Sequence, residues 1–410
     1  MTVERFERAL ARDLAEMETS GRAKGAETVI AGVVPAVADR GPRYLLAGMG
    51  DKPFLRMNSN GYLGLAAHPL VRSAEEEAVR AYGAGPGAVR FISGTWAPHV
   101  ELENALAAFH RRPAAMIFSS AYATVMGTLV PLITPQTAVI SDALNHNCII
   151  NAVRLGGPKE KHIYPHLDLD GLEDRLGQAA AGCRRAVVVT DGVFSMRGDF
   201  APLKEIMALA RQFDAAFEEG VIVMVDDSHG AGAFGETGRG TEEVTDAPPC
   251  DILVATLGKA FGVNGGYVTA RETIIRYLRE TSPFYIYSNP ITPGEAAAAA
   301  TAVEIVDGEE GRRLLAHVRE MTARFEAGLA AQGRETIPGP HPIVPLMVRD
   351  TEATRAIAHH LFQGGVLATG LGYPVVPRGD EEIRFQISAD HTARDIDDAL
   401  AVLADAPRGP

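Results

Sequence analysis

DILVATLGKAFG, residues 251–262, runs from an apolar stretch into a Gly-rich turn that carries one lysine, Lys259. A charged side chain on such a turn, at the end of a buried strand, is either a solvated loop residue or a nucleophile held against a cofactor. The neighbouring runs decide. AMIFSS (115–120), TAVISD (137–142), RRAVVVTDG (184–192), VIVMVDDS (221–228) and GGYVTA (265–270) have the same form, short and rich in Val and Ile. Helical patterns separate them: HVELENALAAFH (99–110), ALNHNCIINAVRL (143–155) and APLKEIMALARQF (201–213). This alternation predicts an α/β fold in which a mostly parallel sheet is sandwiched by helices. The near-continuous apolar runs agree, because strands of such sheets are buried on both faces.

Beyond about residue 290 the pattern changes to an Ala-rich helix, GEAAAAATAVEIV (294–306), a helix near 312–331, and the strands HPIVPLMV (341–348) and EEIRFQIS (381–388). These predict a smaller C-terminal α+β domain. The expected division is an N-terminal helix and arm over 1–55, a large domain over 56–290 and the small domain over 291–410.

With 46% hydrophobic and 22% charged residues, the chain has a folded protein's composition. Its 39 Lys+Arg against 52 Asp+Glu give a formal charge of -13 with no basic block, which argues against nucleic acid as a partner. No apolar run reaches the roughly 20 residues that span a bilayer, and MTVERFERALARDLAEM is a charged amphipathic pattern rather than a signal peptide. Cys148, Cys183 and Cys250 are far apart and lack CxxC spacing. A reduced cytoplasmic setting is expected, with no metal site.

In an open parallel sheet the ligand site lies beyond the carboxyl ends of the strands. Here those ends carry SSA, SDALNH, TDGVFS, DDSHG and TLGK. Asp226 closes an apolar strand and His229 follows three residues later. A buried carboxylate needs a cationic or hydrogen-bonding partner, and a protonated pyridine nitrogen is one. Lysine and aspartate in this combination are how proteins hold pyridoxal 5′-phosphate as an electron sink.

NGYLGLAAHP (60–69), SDALNHNCIINAVRL (141–155), TDGVFSMRGD (190–199), VMVDDSHGAG (223–232), TLGKAFG (256–262) and EIRFQISADHT (382–392) together resemble the α-oxoamine synthase family of fold-type I pyridoxal-phosphate enzymes, and within it the glycine C-acetyltransferase subgroup. The resemblance runs in order from about residue 5 to 405. It implies that Lys259 holds the cofactor covalently and moves protons at the substrate α-carbon, with Asp226 on the pyridine nitrogen and His229 on the ring's phenolic oxygen. It further implies that His146 stacks on the ring and that Ser195 lies near the ring oxygen. The phosphate falls to Ser120, Ala121 and Tyr122, mainly through backbone N–H groups at a helix start, with Thr256 adding a hydroxyl. Ser288 is implied to reach the phosphate of a partner subunit, hence a homodimer with shared sites. Arg384 matches the carboxylate-binding arginine, for which a bidentate guanidinium is suited, and Asn60 an asparagine near the substrate. The implied reaction condenses an amino acid, most naturally glycine, with an acyl-CoA such as acetyl-CoA, releasing CoA.

Bland readings stand beside several of these. His146 can be a helix cap or a surface residue, Ser120 and Ser195 can be caps, Asn60 can form an Asn-Gly turn, and Arg384 can make an edge-strand salt bridge. The segment AYGAGPGAVRFISGT (81–95) resembles the family's loop at the substrate entrance, although its glycines follow a helix and imply no nucleotide fold. Trp96, Pro290 and a lengthened AAFEEG (215–220) depart from the subgroup's pattern. The indole at position 96 either reshapes the acyl-donor pocket or is distant packing. Rival functions are a longer-chain or specialised synthase such as 8-amino-7-oxononanoate synthase, an aldolase, or a catalytically silent subunit, which would be expected to lack Lys259.

Overall fold

The computed structural model describes residues 2–373 and 376–407. Met1, 374–375 and 408–410, which fall within the expected outer domains, lie outside the described residues. The chain forms two compact units: Asn60–Glu320 with Gly339–Pro342, and Met1–Ser59 with Met321–Pro338 and Ile343–Pro410.

The first unit is built on a seven-stranded sheet. Its order is Ala114–Phe118, Gly266–Ala270, Ile252–Thr256, Val221–Asp226, Arg185–Asp191, Thr137–Asp142 and Glu160–Tyr164. Gly266–Ala270 is antiparallel to both neighbours, and the other pairings are parallel. The sheet is therefore mostly parallel, as the Val/Ile runs require. Val187, Val189, Met224 and Val254 are wholly buried within it, and each such side chain contributes about 1.5–3 kcal/mol by leaving water. Glu160–Tyr164 is the strand that periodicity does not reveal. It is an edge strand with alternating burial, so its sequence, EKHIY, carries charge on its open face.

The expected helix at 143–155 begins only at Asn147. Residues 143–146 instead form a loop stitched down by side chains. Asp142 accepts the Leu144 N–H (2.8 Å), Asp191 accepts the His146 N–H (3.0 Å), and the Asn145 amide donates to the Val189 carbonyl (2.8 Å). These bonds outbid helix propensity and carry His146 over the strand ends.

The second unit is α+β. Helices Thr351–Gln363 and Ala393–Ala404 accompany a three-stranded antiparallel sheet in which Glu382–Gln386 lies between Ile343–Met347 and Thr369–Leu371. Phe325, Phe385 and Ile396 anchor its core. The strand carrying Arg384 is thus central, and the edge-strand reading of that arginine is corrected: Arg384 lies opposite both Pro345 and Thr369. The N-terminal helix Thr2–Thr19 and the strands Ile30–Val34, Arg43–Leu46 and Pro53–Arg56 belong to this unit too.

Candidate active site

Parallel register dictates the site. Asp191 and Asp226 are opposite each other on neighbouring strands, which run about 4.8 Å apart, so two carboxylates end side by side. Beyond them opens a cleft of about 370 Å³ lined by Ala121, Tyr122, His146, Cys148, Asp191, Val193, Ser195, Asp226, Ser228, His229 and Lys259. Seven expected residues thereby meet in one place: Ala121, Tyr122, His146, Ser195, Asp226, His229 and Lys259.

Asp226 Oδ1 accepts the Ser228 N–H at 3.1 Å, and its Oδ2 faces the Cys148 thiol at 3.7 Å. Asp191 Oδ1 and Ser228 Oγ are buried without a hydrogen-bond partner among the described residues. Burial and then the adjacent Asp226 charge drive the Asp191 carboxyl well above the ordinary carboxylate range, as expected when two acids share one dry site.

The His146 ring accepts the Cys148 N–H through Nδ1 (3.3 Å), with the thiol 2.9 Å from the same nitrogen. An acceptor Nδ1 places the ring proton on Nε2. Burial lowers the affinity of this imidazole for a second proton, and the Lys259 charge does so further, against the pull of Asp226. The ring is therefore neutral, caps its helix, and still faces the cleft: the capping and functional readings coexist.

His229 is held from two sides. Its Nδ1 is 2.8 Å from the Tyr62 hydroxyl, and its carbonyl accepts Nε2–H of His341 at 2.9 Å. His341 stands edge-on to Tyr62 (5.5 Å), and burial, reinforced by Lys259, lowers its pKa to about 4. Tyr62 also comes within 3.5 Å of Asn60 Oδ1. Asn60 is linked to the His229 side of the site through this phenol, and its carbonyl also accepts the Tyr62 N–H (2.9 Å), which is the expected turn.

Ala121–Leu132 opens as a helix at the cleft with Ser120 as its N-cap, Oγ accepting the Ala123 N–H at 3.1 Å. First-turn N–H groups lie outside a helix's own ladder and point outward. Gly266, opposite Phe118 in the sheet, lets this turn approach. A β-carbon there would fall 2.6 Å from the Ala121 nitrogen and 2.5 Å from Thr124 Oγ1. Gly266→Ala is accordingly expected to destabilise by about 1–3 kcal/mol and to weaken pyridoxal-phosphate binding, read by thermal denaturation and cofactor titration. Unchanged cofactor affinity would dissociate the helix start from the phosphate.

Five expected residues stand outside the cleft lining. Ser120 and Asn60 are described above. Thr256 Oγ donates to the Gly265 carbonyl (3.3 Å) and accepts the Gly258 N–H (3.1 Å), shaping the turn that carries Lys259. Ser288 Oγ donates to the Asn289 carbonyl at 3.4 Å. Arg384 belongs to the second compact unit. Trp96 donates its indole N–H to the Pro86 carbonyl (3.1 Å) and packs on Tyr82 (5.8 Å), against the Gly-rich segment.

Cys148, Asp191, Ser228, Tyr62 and His341 were not singled out in the sequence. Asp191 had a signal, an acidic strand end like that of Asp226. His341 had none, because it meets His229 from 112 residues away.

A family model for class I and II aminotransferases matches residues 52–403. The chain is 38% identical over 361 residues to 8-amino-7-oxononanoate synthase of Petrotoga mobilis, covering 86% of this chain and 88% of the relative. It is 37% identical to human mitochondrial 2-amino-3-ketobutyrate coenzyme A ligase, covering 90% and 86%. A serine palmitoyltransferase from S. paucimobilis, solved with bound PLP and myriocin, superposes with a TM-score of 0.85 at 27% identity, covering 97% and 96%. The chain belongs to the class I and II aminotransferase family, in its α-oxoamine synthase branch. This α-oxoamine synthase has the fold-type I architecture and uses pyridoxal 5′-phosphate.

The residues present fit that cofactor. The cleft combines a lysine, a buried carboxylate, a neutral imidazole and a helix N-terminus, and it holds two polar atoms, Asp191 Oδ1 and Ser228 Oγ, left without hydrogen-bond partners. Among the described residues no cluster of three or more His, Cys, Asp or Glu could hold a metal ion, and no helix is long and apolar enough to cross a membrane.

Proposed function

We propose that this α-oxoamine synthase condenses glycine with an acyl-CoA, acetyl-CoA first among donors, to give a 2-amino-3-oxo acid and CoA. The observation that carries this reading is the convergence of Lys259, Asp226, His146 and His229 on one cleft. Pyridoxal phosphate bound there supplies an electron-accepting ring conjugated to the α-carbon.

The chain's own residues do the rest. Asp226 supplies the negative partner that keeps a pyridine nitrogen protonated. Neutral His146 offers a flat face without a competing charge. His229, fixed by Tyr62 and by the His341 contact to its carbonyl, serves the phenolic oxygen of the ring. Lys259 Nζ takes the α-proton and returns it. The Ser120–Tyr122 helix start and Thr256 serve the phosphate, Ser195 the acyl carbonyl, and Arg384 and Asn60 the amino acid.

A homodimer with Ser288 reaching the partner subunit's phosphate belongs to the same reading. It is supported by an apolar stripe on the N-terminal helix, Val3, Phe6, Leu10 and Leu14, which is 45–63% exposed. A cytoplasmic setting suits three cysteines that are all free.

A second reading, 8-amino-7-oxononanoate synthase, is favoured by the relatives carrying that name at 38–40% identity, beside the 2-amino-3-ketobutyrate ligases at 37–38%. Trp96 bears on the choice through its hold on the Gly-rich segment. The test is thiol release by the cofactor-loaded protein across a matrix of small amino acids and acyl-CoA donors of increasing length and with a terminal carboxylate. Turnover with glycine and acetyl-CoA is expected to dominate. Silence there, with turnover on a longer or dicarboxylic donor, overturns the acetyltransferase reading in favour of the second.

A further inference from the structure

His166 lies outside the cleft lining yet joins two segments that form it. Its Nδ1 is 2.9 Å from Asp142 Oδ1 and its Nε2 is 3.2 Å from Asp199 Oδ2. An ionised carboxylate only accepts, so two such contacts require both ring nitrogens to donate, which is the imidazolium. Asp142 accepts two further donors, the N–H groups of Leu144 (2.8 Å) and Leu167 (2.9 Å). Asp199 also receives Arg197 Nε at 2.9 Å. The Phe194 ring closes the remaining side, edge to face at 4.4 Å.

The two anchors are the roots of different site loops. Asp142 ends the strand from which the chain runs to His146. Asp199 closes the turn that holds Ser195: the Phe194 N–H donates to the Asp199 carbonyl and the Gly198 N–H to the Phe194 carbonyl, each at 2.9 Å. We propose that His166, as a doubly protonated bridge, is a positioning residue that locks the Ser195 turn to the root of the His146 loop and so sets the geometry of the cofactor cleft. The bridge rests on the reading of the cleft as the pyridoxal-phosphate site.

The two carboxylates, opposed by burial, raise the His166 pKa from the ordinary 6.5 to about 9. The sign follows. A raised pKa makes the bridge's contribution complete below about 6.5 and removes it as the pH climbs through about 9. The charged and titratable groups around the ring are Asp142, Asp199 and, through Asp199, Arg197. Tyr164, two residues earlier, is itself driven to a higher pKa by burial and by Asp142, and stays neutral over that range.

The experiment compares wild type, His166→Gln and His166→Arg by pyridoxal-phosphate titration and by the visible dichroism of the bound cofactor, from about pH 6.5 to about pH 10. Gln keeps a donor but no charge; Arg keeps a permanent charge and two donors. Wild type is expected to lose dichroism with a midpoint near 9. Gln should show reduced dichroism already at neutral pH, no such limb, and cofactor binding weakened about 10-fold, within the range caused by sub-ångström misplacement. Arg should restore the neutral amplitude and stay flat into the alkaline range. Should Arg fail to fold, Asp199→Asn replaces it and is expected to lower the midpoint. The proposal is overturned if Gln retains the wild-type amplitude, affinity and alkaline midpoint, or if the variants merely lose thermal stability while dichroism stays unchanged. Failure of wild type to bind the cofactor at neutral pH would instead sink the site reading itself.

Discussion

Replacing Lys259 by Ala is expected to lower amino-acid-dependent CoA release at least about 10³-fold, since a positioned proton-transfer group alone is worth about 10²–10⁴ and this lysine is also the cofactor's covalent tether. The fold should survive. Lys259 sits on a turn held by the Gly262 N–H donating to the Lys259 carbonyl (3.0 Å) and by the Gly258 N–H donating to the Thr256 hydroxyl (3.1 Å). Gly262, at φ +73°, would place a β-carbon 2.4 Å from the Ala66 nitrogen, so the turn is wedged in place by main-chain contacts. Thermal denaturation should therefore match wild type within a few degrees while turnover vanishes. Residual activity above about a tenth of wild type would mean that the proton is moved by another group.

Asp226→Asn is expected to give the second largest loss, about 10²–10³ in kcat, with a much smaller change in KM. The change removes the negative partner of a buried cation, an interaction worth about 3–5 kcal/mol when broken in a dry site, and the effect falls on charge developed during the reaction rather than on substrate binding. Asn is nearly isosteric and can still accept the Ser228 N–H, so the turn to His229 is kept. A second consequence follows from the strand register. With Asp226 neutral, Asp191 loses the like charge that helps hold its carboxyl high, and its pKa should fall. A carboxyl stretch seen by difference infrared spectroscopy would report that shift. An Asn variant with kcat unaltered contradicts the assigned role of Asp226.

The physics of burial explains what was legible in the sequence. Central strands read directly because both faces are apolar: RRAVVVTDG and VIVMVDDS became Arg185–Asp191 and Val221–Asp226 with their acids at the exit. The residues that gather at the cleft were visible because each ends or follows such a strand. Glu160–Tyr164 was hidden because an edge strand meets water on one side. The loop at 143–146 was hidden because Asp142, Asp191 and Asn145 hold it with tertiary hydrogen bonds that local propensity does not encode. Likewise, an edge-strand salt bridge stood as the alternative reading of Arg384, since neighbours on both sides of its strand arise from pairing across the chain. Tyr62 and His341 support His229 from distant segments, and neither carries a local pattern that names its partner.

The most direct test of the central claim is borohydride reduction of the protein loaded with pyridoxal 5′-phosphate, followed by peptide mass mapping. A single stoichiometric phosphopyridoxyl adduct is expected on the peptide containing Lys259, absent from Lys259→Ala. No adduct, or an adduct on Lys52, Lys159 or Lys204 with Lys259 unmodified, would contradict the assignment of the cleft at the ends of Val221–Asp226 and Ile252–Thr256 as the cofactor site.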